Sequence, residues 1–105
     1  MVKMVILLNR RPEDSHEEFV RYLREEHVPL AEELPGLQYY STAIPSDPDR
    51  AAYDGIAELH FEDGAAMSGA FDSEVGERVQ ADAEEFMDVE RNETLVLEEE
   101  VHFER

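Results

Sequence analysis

The chain has no cysteine, and lysine occurs only once among its nine basic residues. Without cysteine there are no thiol nucleophiles, thiolate metal sites or disulfides, and a stapled secreted scaffold is excluded with them. Long apolar stretches are missing too. The longest run, Met4 to Leu8, has five residues, too few for a signal-peptide core or a membrane span, so the expectation is a soluble, cytoplasmic protein. No glycine-rich phosphate or dinucleotide loop, no His-Glu-x-x-His and no nucleophile elbow occurs. Positive charge is also scarce: 27 acidic residues against nine basic ones leave a net charge of −18. A chain this acidic does not bind nucleic acid or an anionic membrane by neutralising phosphates. The acids are spread along the chain between ordered apolar patterns, which describes a solvated acidic face on a folded domain. Self-repulsion of this size is tolerable where salt screens it, pointing to a high-salt cytoplasm.

What is present fits one domain over residues 1–105, large enough to bury a core unaided. Residues 2–9 read as a strand apolar on both faces. Ser15 and Glu18 stand in capping-box spacing and open a helix that Pro35–Gly36 ends. In it Phe19, Leu23, Leu30 and Leu34 fall within roughly 60° of one another at about 100° per residue. His27 lands within about 80° of Phe19, placing a titratable ring beside the apolar stripe. Pro29 cannot donate to the Glu25 carbonyl, so a kink is predicted beside the imidazole.

Residues 37–44 and 54–61 read as strands joined by a proline-broken loop. Residues 63–71 and 73–86 look helical, meeting near Asp72–Ser73, with Gly64, Gly69 and Gly76 lowering the propensity. Residues 93–103 form the last predicted strand. The order β-α-β-β-α-β predicts an α+β, ferredoxin-like sandwich with an antiparallel four-stranded sheet. Both helices then cover one sheet face. The other needs cover of its own, most economically a second copy of the chain in a two-fold homodimer, with a ligand cavity expected between the sheets.

The opening strand with its arginine pair and proline (Met4 to Pro12) resembles the EthD family. So do Ser15–His16–Glu17–Glu18–Phe19, His27–Val28–Pro29–Leu30, Leu34–Pro35–Gly36–Leu37, Asp54 to Leu59 and Phe86–Met87–Asp88. The resemblance implies the dimeric α+β barrel superfamily and a role in breakdown or tailoring of small organic molecules. Relatives in that superfamily include cofactor-independent monooxygenases, polyketide cyclases and muconolactone isomerases. It also implies that His27 and Glu58 are the family's helix histidine and third-strand glutamate. The lactone-isomerising relatives use a cysteine, which this chain lacks.

Alternation along the third strand puts Ala57, Leu59 and Phe61 under the helices and Ile56, Glu58 and His60 on the other face, toward the expected dimer cavity. Glu58, if enclosed, is a candidate acid or base; otherwise it pairs with Arg10 or Arg11. His27 is the candidate general base or hydrogen-bond donor to a developing enolate. Tyr39 and Tyr40 take opposite faces of strand two, and the inward one can position an aromatic substrate. Asn9 can donate to a carbonyl, Asp88 is a turn or site residue, and His16 and His102 read as solvated. His27, Glu58 and His60 would make a metal ligand set only without any supporting spacing, so neither metal nor cofactor is expected. Three readings remain: a cofactor-independent enzyme for proton transfer, isomerisation or oxygenation of a small organic compound, a non-catalytic ligand-binding accessory protein, and a structural dimer with no pocket chemistry.

Overall fold

In the computed structural model, which describes residues 1–105, the capping box forms as its spacing predicts. The Ser15 hydroxyl accepts from the Glu18 amide at 3.1 Å, and the Glu18 carboxylate accepts from the Ser15 amide at 2.9 Å. These bonds open α1 (His16–Tyr22). The kink expected at Pro29 takes a specific form. Leu23–His27 is one turn of π-helix, in which the Val28 amide reaches back five residues to the Leu23 carbonyl. A short α2 (Val28–Ala31) follows directly, carrying Pro29 in its first turn, where the ring has no amide hydrogen to give the preceding helical carbonyls. The helical stretch stops before Leu34, which is nevertheless buried. Gly36 makes the reversal at φ +76°, a conformation that glycine adopts without a Cβ clash.

Four strands form one sheet: β1 (Val2–Leu8), β2 (Tyr39–Ala43), β3 (Gly55–Phe61) and β4 (Glu93–Leu97), in the order β2-β3-β1-β4 with every pairing antiparallel. A short 3-10 turn, Pro48–Arg50, lies in the β2–β3 loop. The last strand is shorter than predicted. Its final pairing is Lys3 with Leu97, and β1 begins at Val2, so Glu98 onward meets no further ladder.

α3 (Gly64–Asp72) and α4 (Glu74–Phe86) meet at Ser73, whose hydroxyl accepts from the Gly76 amide at 3.0 Å. Gly76 is a packing requirement as well as a weak helix former. A Cβ there would run into the Ala70 and Phe71 carbonyls. The helices cover the sheet face bearing Met4, Ile6, Leu8, Ala57, Leu59 and Phe61, and the core closes around Phe19, Leu23 and Phe86. This is the ferredoxin-like α+β sandwich. The outer face carries Ile56, Tyr39, Leu95 and Leu97, all exposed in the single chain. No helix is long and apolar enough to cross a membrane.

Candidate functional site

His27 sits at the end of the π turn, buried to 6 % exposure. Its Nδ1 lies 2.8 Å from Oδ2 of Asp82 on α4. The other Asp82 oxygen, Oδ1, accepts from the Tyr22 hydroxyl at 2.7 Å. An ionised carboxylate only accepts, so Nδ1 carries a proton, and in the neutral imidazole Nε2 keeps its lone pair. Nε2 has no protein partner, and no side-chain nitrogen or oxygen in the structure is both sealed and unpartnered. That atom therefore opens onto accessible space.

Packing holds the ring still. The Phe86 ring lies 5.0 Å from His27, 4.5 Å from Tyr22 and 5.5 Å from Phe19 between centroids. The bond to the Asp82 carboxylate, and burial after it, push the Tyr22 hydroxyl up to about 12, so it stays a proton donor.

His27 faces a cavity of about 120 Å³ between the inner sheet face and the helices. Ile6, Leu8, Ala57 and Leu59 form its floor, Leu23 and Ala31 one wall, and Phe71, Val79, Ala83 and Met87 the other. Tyr40 joins the floor, and burial pushes its hydroxyl up to about 12, with Glu32 adding to the shift. Gln80 and Asn92 are the remaining polar lining residues. Asn92 is already committed, its Oδ1 accepting from the Asn9 amide at 2.7 Å.

This cavity lies within one chain, on the helix side of the sheet; the space expected between two sheets belongs to an assembly of two chains. Alternation therefore separates the two candidate catalytic residues. Ala57 and Leu59 line the His27 cavity, while Glu58 and His60 project from the opposite face. There Glu58 Oε2 lies 2.8 Å from His60 Nε2 and 3.4 Å from Lys3 Nζ, replacing the expected Arg10 or Arg11 partner. Those two bonds hold the Glu58 carboxyl below the usual carboxylate range, His60 contributing most, whereas an enclosed acid would be raised.

Tyr39 stacks on His60 at 4.4 Å on that outer face, leaving Tyr40 as the inward tyrosine. His27, Glu58 and His60 cannot share a metal ion across the sheet. Asn9 is buried, and its side-chain amide donates to the Arg91 carbonyl at 2.8 Å. Asp88 sits in the turn after α4, its amide donating to the Asn9 carbonyl at 2.9 Å and its carbonyl accepting from Arg91 at 3.1 Å. His16 is not solvated. Its Nδ1 meets Asp54 Oδ1 at 2.9 Å, tying α1 to the segment before β3. His102 is exposed.

Asp82, Tyr22 and Asn92 are the site residues that sequence reading missed. For Asp82 a signal existed: at about 100° per residue it falls within roughly 40° of Phe86, an acid on the buried stripe of α4.

The topology and the site together define a ferredoxin-like α+β protein with a largely apolar cavity lined by a histidine that an aspartate behind it holds in place. The chain belongs to the EthD family, whose domain model matches residues 11–90. It is similar to the structure of an EthD family protein from Bacillus halodurans, with 24% identity and a TM-score of 0.81 over 95% of this chain and 99% of that one. A dimeric ferredoxin-like protein of Thermobifida fusca matches at 10% identity and a TM-score of 0.74, covering 91% of this chain and 88% of that one. SnoaB of Streptomyces nogalater, described as a cofactor-independent oxygenase, matches at 12% identity and a TM-score of 0.74, covering 99% of this chain and 97% of that one. No curated protein matches the sequence.

Proposed function

We propose that this protein moves a proton on a small organic molecule held in the helix-side cavity, with His27 as the general base. The observation that carries the reading is the His27–Asp82 bond at 2.8 Å beside an apolar hollow. Asp82 fixes the tautomer, so Nε2 can accept a proton from an acidic O–H or C–H, and the carboxylate stabilises the imidazolium that results. Returning the proton to another atom of the same molecule completes an isomerisation without any co-reactant. Tyr40 is the positioning surface, its un-ionised hydroxyl able to donate to a developing oxyanion. Membership of the EthD family supports this reading, as does the fold shared with a protein described as a cofactor-independent oxygenase.

The assembly we infer is a homodimer that buries the outer sheet face, in a cytoplasm where salt screens the net charge of −18. Support comes from the exposed Tyr39, Ile56, Leu95 and Leu97 on that face, and from similar proteins described as dimeric. Replacing Leu95 by arginine puts a charge on the patch, and sedimentation is expected to show monomers. A monomeric parent chain in strong salt would remove the dimer from the account.

The chemistry is tested with cyclohexanone, a neutral ketone whose weakly acidic C–H bonds exchange slowly, in deuterated water. The parent chain should accelerate deuterium uptake above the buffer rate, and His27→Gln should return it to that rate while remaining folded. Equal uptake by both would refute the assignment of His27.

A further inference from the structure

We infer that the cavity is built for an uncharged hydroxyarene of a single ring, anchored by its hydroxyl on His27 Nε2; this rests on the reading of that cavity as the working site. Three independent features lead there. The first is size. A space of about 120 Å³ is comparable to the roughly 150 Å³ apolar cavity known to take up benzene. It is well below the roughly 300–1,000 Å³ of pockets for larger ligands. A second fused ring would have to push aside a close-packed wall of Leu23, Leu59, Phe71 and Val79.

The second feature is charge. No lysine or arginine lines the space, and a protonated His27 would already be matched by Asp82. An entering carboxylate or phosphate would be an unpaired buried anion. A cation would lose its hydration without gaining a free carboxylate, since both Asp82 oxygens are engaged. The ligand is therefore neutral.

The third feature is polarity. His27 Nε2 has no partner in the protein and can accept a hydrogen bond, the lining being apolar apart from His27, Tyr40, Gln80 and Asn92, and Phe71 adds an aromatic ring to the wall. A hydroxyl on an aromatic ring satisfies both: the O–H donates to Nε2 while the ring fills the apolar volume.

Four probes of graded structure test this by amide NMR titration of the intact protein: phenol, toluene, benzoate and 2-naphthol. Phenol is expected to bind at least tenfold more tightly than each of the others, shifting the amides of Leu59, Ala83 and His27. His27→Gln should erase the preference of phenol over toluene and leave toluene binding unchanged. Ala83→Leu, which takes up volume in the hollow and leaves the His27 side chain itself in place, should abolish binding of every probe while preserving the melting transition.

Tighter binding of benzoate or 2-naphthol, no phenol binding at millimolar concentration, or phenol binding that survives Ala83→Leu would each overturn the inference. The two claims fail separately. Loss of the phenol preference with deuterium uptake intact refutes the ligand class alone. A retained phenol preference without deuterium uptake refutes the general base and leaves the ligand class standing.

Discussion

Replacing Asp82 by asparagine changes almost no volume and removes one charge, which makes it the sharpest probe of the site. Asp82 receives hydrogen bonds from Tyr22 at 2.7 Å and His27 at 2.8 Å. Bonds to an ionised group are worth about 1.5–3 kcal/mol each and neutral ones about 1. Asparagine can still meet both neighbours through its carbonyl and its amide, so the expected loss is the difference, about 1 kcal/mol per bond. With Asp82 only 19% exposed, solvent screening leaves most of that in place. A total of about 2 kcal/mol corresponds to a fall in melting temperature of roughly 8–16 °C for a domain of this size.

The tautomer should change with the stability. In the parent chain, imidazole nitrogen NMR is expected to show one form, with the proton on Nδ1. In Asp82→Asn the side-chain amide can donate to Nδ1, so a population carrying the proton on Nε2 should emerge, and deuterium uptake should fall with it. A parent chain protonated on Nε2 would refute the reasoning. So would a variant with unchanged melting and an unchanged tautomer.

Tyr40 gives an alkaline test. Its hydroxyl is held up to about 12 in the fold, against about 10 in an unfolded chain. Between those values the unfolded state loses its proton first, so stability is constant below about pH 10 and falls as pH rises toward 12. Tyr40→Phe should shrink that fall by on the order of 1–2 kcal/mol in urea unfolding at high pH, and an unchanged pH dependence would contradict the burial of this hydroxyl. Glu58 behaves in the opposite sense. Its lowered carboxyl stabilises the fold at neutral pH, and that contribution disappears as pH falls through the carboxylate range, so Glu58→Gln should cost up to about 1 kcal/mol at neutral pH and nothing in strong acid. For the charge, unfolding in molar salt should occur several degrees above unfolding in dilute buffer. Equal midpoints would remove the high-salt reading.

Strand order, helix caps and sheet faces were legible in the sequence because each rests on a local period. Ala57, Leu59 and Phe61 alternate cleanly, and Ser15 with Glu18 announces a helix start. Where the hollow lies was not legible. Alternation shows which residues share a face but not which face encloses a space, and His27 and Glu58 stand on opposite sides of the sheet. Asp82 was hidden for another reason. It is one of 27 acids, and only its angular position against Phe86 distinguishes it. The end of β4 depended on its neighbour: Glu98 to Phe103 continue a strand-like pattern, yet β1 offers them no backbone to pair with.

The π turn at Leu23–His27 sets the phase of the whole first helical stretch. A π turn is a helical turn holding one extra residue, so deleting one of the exposed positions Arg24, Glu25 or Glu26 would restore regular winding and leave Phe19 and Tyr22 on one side, and His27 on the other, nearly in phase. Loss of one codon at this spot is therefore expected to disturb the packing less than loss of one from the regular winding on either side, where each residue turns the helix by about 100°. The one-residue irregularity belongs to the working part of the molecule.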